Sequence, residues 1–205
     1  MLRISSITKS TTPTIHRMAG VGLIEVLVTL VVFSLGMLSV AALQGVAKKA
    51  NFDALQRTNA SLMAYDLLER MRSNSQMLAS YVNVADLGGG TRSTQGTQMV
   101  SACGDMNAPC TREQIADDDL TQWESILDGY MEMRGNQATG GLVDATVCIN
   151  GPAAGGSGAY TVVIAWRGVT AMPNAPVDPC GTGLGRYGAN DEFRRVMVVP
   201  TFIGI

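Results

Sequence analysis

Cys103, Cys110, Cys148 and Cys180 are the side chains best placed to react with one another. Their number is even and no two stand in C-x-x-C spacing, which argues against a zinc site or a thioredoxin-like redox pair and for disulfides. Four cysteines allow three pairings. The expected set is Cys103–Cys110 with Cys148–Cys180, because each pair is nearest in sequence and encloses a loop-rich segment. Other chemistry is sparse. The single histidine, His16, lies within the first twenty residues. If those are removed, a Ser-His-Asp triad, a Cys-His pair and a histidine metal site all lose their imidazole. Asp117, Asp118 and Asp119 could bind calcium, but they lack the alternating acids and sixth-position glycine of an EF-hand loop, so they are read as helix-capping residues. Gly183, Gly185 and Gly188 match G-x-G-x-x-G with no strand closely before them and no helix after, so they are read as turns. No catalytic residue, cofactor site or metal site is expected.

The remaining reactive group is Glu25, and its setting is unusual. From Val26 to Ala47, 22 residues pass without a charge. As a helix they rise about 33 Å, the thickness of a bilayer core. Arg3, Lys9, His16 and Arg17 precede them, so the N-terminus should stay cytoplasmic and the rest of the chain cross. No convincing small-x-small site ends the apolar run at a sensible distance, as a secretory signal peptide would require. A carboxylate at the edge of such a helix costs free energy unless a cation from elsewhere meets it, or unless it reaches the interface.

Gly20-Val21-Gly22-Leu23-Ile24-Glu25-Val26-Leu27-Val28 resembles the signal of type IV pilins and type II secretion pseudopilins. The resemblance implies that Gly20 precedes the cut made by a prepilin peptidase. It also implies that Val21 becomes the N-methylated first residue and that Glu25 serves subunit assembly. Two departures stand out. Val21 replaces the phenylalanine often found first, and the helix carries no proline near its middle, only Gly36 and Gly45. The expected organisation is a cleaved basic leader over residues 1–20, a transmembrane half-helix over 21–47 and an amphipathic half-helix over 48–80. A loop-rich periplasmic domain follows over 81–205.

The elements that must carry these residues follow from periodicity. Ala60, Met63, Ala64, Leu67, Met71 and Leu78 share one helical face, read as core packing against a sheet. Gly88-Gly89-Gly90 ends that region. Leu120, Trp123, Ile126 and Leu127 have helical spacing. Residues 142–150 and 160–166 read as strands joined by the Gly-rich turn GPAAGGSGA, and residues 193–203 as a last strand pushed to an edge by Pro200. Short connections imply an antiparallel sheet, hence an α+β fold of pilin-like plan, with a long helix packed on it. The stretch ASLMAYDLLERMRSNS and the Asp119-x-x-x-Trp123 spacing resemble the PilV subgroup, the type IV pilus modification proteins.

Charge excludes one class. Taking Arg3, Lys9 and Arg17 from 15 basic residues leaves 12 against 17 acids, a charge of −5 with no basic stripe, so no nucleic-acid partner is expected. What the resemblance implies is a structural, non-catalytic minor pilin of the inner membrane and then of the pilus surface. Its partners would be other major and minor pilins, the prepilin peptidase, the inner-membrane assembly machinery, a tip adhesin and, before assembly, membrane lipid. A minor pseudopilin is the alternative, and a membrane-tethered periplasmic enzyme a more distant one.

Overall fold

The computed structural model describes residues 20–82, 84, 87–90, 103, 109–135, 137–173 and 176–205. The expected leader, Gly20 excepted, lies outside them. The chain divides into two compact units, one ending at Gly45 and one running from Val46 to Ile205. The described part of the first unit is almost wholly helix, the beginning of α1 (Leu23–Ser73). Its apolar side chains are all exposed. It is a helix long and apolar enough to cross a membrane. Hydrocarbon surroundings demand that backbone groups be satisfied internally, and a helix does this.

In the second unit one face of α1 enters the core. Ala60, Ala64, Leu67, Leu68 and Met71 are buried there, the face expected from the spacing. They join Leu78 and Tyr81 of α2 (Leu78–Val82), and Ala116, Leu120, Trp123 and Leu127 of α3 (Arg112–Leu127). The sheet adds Val147, Ile149, Tyr160, Val162, Ile164, Trp166, Val199 and Ile203. A single helix through residue 80 is not what forms. It stops at Ser73, followed by a 3-10 turn over Ser75–Met77 and then α2. Side chains at the break compete for backbone bonds, one near in sequence and one far. Ser73 Oγ donates to the Arg70 carbonyl at 2.8 Å, and Asn74, out of helical conformation, turns its Nδ2 to the Arg112 carbonyl at 2.8 Å.

The aspartates do not cap α3. Thr111 does, accepting from Gln114 N at 3.3 Å while Gln114 Oε1 accepts from Thr111 N at 2.8 Å, a reciprocal capping box. The helix thus starts several residues earlier than the apolar spacing marks, and Asp117–Asp119 fall inside it. A small hairpin, β1 (Met133–Arg134) with β2 (Gln137–Ala138), follows and had no signal in the sequence pattern.

The main sheet is antiparallel, in the order β3 (Thr146–Asn150), β4 (Gly158–Arg167), β5 (Arg194–Ile203). Val147 faces Ile164, and Thr161 faces Pro200 on the edge strand β5, where a missing N–H costs no ladder bond. Residues 142–145 turn instead of extending, with Asp144 at φ 51°. The even positions of β4 meet the helices. Its odd positions Val163 and Ala165 are buried as well, so both faces are covered. The second cover is the loop after residue 176, whose Cys180 and Tyr187 are buried. A strand buried on both faces reads as an unbroken apolar run, which is what VVIAW is.

Candidate functional site: an unpartnered apolar helix and a disulfide-stapled domain

In the first unit the polar side chains close on their own helix. Thr29 Oγ1 donates to the Val26 carbonyl at 2.9 Å, Ser34 Oγ to Leu30 at 2.6 Å and Ser39 Oγ to Gly36 at 2.8 Å. Glu25 is different. It stands exposed in the first turn of α1, its backbone N–H bonded to the Gly22 carbonyl at 3.0 Å, and its carboxylate has no partner among the described residues. The partial positive charge of the helix N-terminus favours an anion there without neutralising it. Gly20 and Val21 lie just before the first turn, both exposed. Gly36 and Gly45 open onto empty space, where even a Cβ would touch nothing.

The second unit is fastened by polar clamps that periodicity alone did not mark. Asp119 holds α3 to two other helices: its Oδ2 accepts from the Tyr81 hydroxyl at 2.7 Å and its Oδ1 from Arg70 Nη1 at 3.2 Å. Trp123, one turn on, donates its indole N–H to the Met63 carbonyl at 3.0 Å. The Asp-x-x-x-Trp spacing thus places both anchors on one face of α3. Farther along, Glu124 Oε1 accepts from Gly88 N at 2.7 Å, and Asp128 accepts from Gly89 N at 2.9 Å and Gly90 N at 2.7 Å. Burial pushes the Asp128 carboxyl up against the pull of these N–H groups. Gly88, at φ 105°, has a reason to be glycine, since a Cβ would stand 2.4 Å from the Ala145 carbonyl oxygen.

The cysteines form two bonds. Cys103 and Cys110 are joined with Cα atoms 5.2 Å apart, and Cys148 and Cys180 with Cα atoms 5.9 Å apart. Cys148 lies on β3 opposite Val163, so the second bond pins the C-terminal loop over the outer sheet face. Arg194 works on the same loop. It is 2% exposed and donates to the carbonyls of Pro176 at 2.7 Å, Asp178 at 2.6 Å and Cys180 at 2.8 Å. Strand alternation held a signal for it, since in the run from Phe193 to Val199 only one of two adjacent arginines can face solvent. Gly183, Gly185 and Gly188 all have positive φ within this loop, as turns. No group of acids, histidines and cysteines suited to a metal occurs among the described residues.

The buried phenols set a pH limit. Burial, then the bond to Asp119, raises Tyr81 well above the ordinary phenol value, and burial raises Tyr187. Unfolded phenols ionise near about 10, while the folded ones keep their protons. The folded state then binds more protons, so stability should hold below about pH 10 and fall as pH rises beyond it. Urea melts at about pH 8 and about pH 11 test this, and Tyr81→Phe should flatten the slope. An unchanged midpoint across that range would contradict it.

The family model described as Tt1218-like, Type IV pilin Tt1218, matches residues 42–121. No curated protein and no solved structure matches the chain. The matched residues include the second half of α1, Asp119 and the Cys103–Cys110 loop. The long apolar N-terminal helix and the antiparallel sheet give an α+β fold of pilin-like plan, and over residues 42–121 the chain is similar to the type IV pilins.

Proposed function

We propose that the protein is a minor pilin of the PilV type, held in the inner membrane by residues 21–47 and then built into a type IV pilus or its initiating tip complex. The N-terminus faces the cytoplasm and the disulfide-bonded domain the periplasm. The observation that carries this reading is Glu25, a carboxylate with no partner among the described residues, at the head of a helical stretch over residues 26–47 that carries no other charge and is exposed throughout. Such a helix needs lipid first and neighbouring helices later, and an acid without a partner needs a cation from one of them. A minor pseudopilin of type II secretion would use the same helix. The Asp119–Trp123 clamp and the LLERMRSN stretch favour the PilV subgroup on resemblance.

Processing is the direct test. Cleavage between Gly20 and Val21 needs a residue without a side chain before the helix, so that backbone can enter a narrow peptidase site. Gly20→Val should leave only full-length precursor in the membrane fraction. N-terminal sequencing of the wild-type mature chain should begin at a methylated Val21, and any other start would refute the site.

A further inference from the structure

A cavity of about 450 Å³ opens in the second unit beside α1. Ala54, Trp166, Met172, Pro176 and Val196 give it apolar walls, and Asp53, Arg57 and Arg195 supply its charge. Asp53 is already engaged, accepting from Val169 N at 3.1 Å. The two arginines are engaged less fully. Arg57 is exposed and makes no hydrogen bond or ion pair among the described residues. Arg195 spends its Nη2 on Thr170, at 2.5 Å to the carbonyl and 3.3 Å to Oγ1, while its Nη1 is buried with no acceptor among the described residues. Its guanidinium lies against Gly168, where a Cβ would stand 2.7 Å from Cζ, so the group is seated in a slot that glycine leaves free.

The Nη1 atom of Arg195 is sealed from the cavity, so an entering anion meets Arg57, with the charge of Arg195 behind it. Two cations against one satisfied acid leave the cavity one positive charge in excess. We propose that it is a binding site for a single carboxylate carried on an apolar body, with Arg57 gripping the carboxylate, the charge of Arg195 adding to the attraction, and Trp166 and Met172 packing the body. A guanidinium suits a carboxylate because two N–H groups meet two oxygens. The same chemistry has two sources, a free organic acid or an acidic side chain of a neighbouring protein, and the site does not depend on the filament reading.

The probes are benzoate, its neutral twin benzamide, and a blocked tripeptide with glutamate at its centre. They are titrated into the full-length protein in detergent while tryptophan fluorescence is followed. Trp166 lines the cavity and the other tryptophan, Trp123, does not. Benzoate should give a saturable change, and benzamide one at least about tenfold weaker. Arg57→Gln should erase that preference with an unchanged melting curve, because Arg57 holds nothing else in place. Arg195→Gln should reduce the preference, at some cost to the Thr170 turn. Tighter binding of the tripeptide assigns the carboxylate to a neighbouring protein, and tighter binding of benzoate to a free acid. Equal response to benzoate and benzamide, or no saturable response to either carboxylate, overturns the proposal.

Discussion

Glu25→Ala is expected to leave the chain inserted and its second unit folded, yet to remove it from its assembly. The proposed partner of the carboxylate is the free amine created at a neighbour's Val21 when its leader is cut, which would couple processing to assembly. Removing one member of a buried pair costs about 3–5 kcal/mol, since the other charge stays unpaired. No other group in the apolar segment offers a comparable penalty, because Thr29, Ser34 and Ser39 already bond their own helix. Packing at Gly36 and Gly45 remains, but packing alone does not fix register. Recovery of partner pilins from detergent-solubilised membranes should fall by more than about tenfold, and surface pili with it. Normal recovery and normal piliation would return Glu25 to an interfacial acid that merely suits the helix N-terminus.

The second large effect is expected at Cys148 and Cys180. Their bond closes a sequence separation of 32, which the chain-entropy account values at about 3–4 kcal/mol. More than entropy is at stake, because the pinned loop is the cover over Val163 and Ala165. Cys148→Ser with Cys180→Ser should lower the urea midpoint strongly and open the loop after residue 176 to protease. Arg194 would still hold three loop carbonyls, so the sheet should survive. The matching Cys103→Ser, Cys110→Ser pair spans a separation of only 7 and should cost less, about 2–3 kcal/mol. Equal losses from the two pairs, or none from the first, would contradict this account of the loop.

Much of the fold was legible in the sequence because the relevant signals are local. The stripe from Ala60 to Met71 repeats at helical spacing, and the same residues are buried. YTVVIAW reads as a strand, and β4 contains all of it. Gly-rich turns fell where chain reversal needs positive φ. The misreadings share one cause. The helix was carried past Ser73 because the apolar pattern continues to Leu78, while the break comes from Asn74 bonding to Arg112, a residue 38 positions away. Asp117–Asp119 look like caps because acids stand before an apolar run. Thr111 caps instead, which frees Asp119 to take Tyr81 and Arg70.

The division is physical. The sequence by itself determined the apolar span with its lone acid, the helical face and the strands, since each depends on neighbours a few residues apart. Only the tertiary structure decided which polar groups would be buried and what would satisfy them. Arg194 found three carbonyls of one loop, Glu124 and Asp128 found the glycine amides of another, and the Nε of Arg194 and the Nη1 of Arg195 found no partner among the described residues. A buried polar atom is satisfied by whatever the folded chain brings within about 3 Å, and no spacing along the chain encodes that meeting.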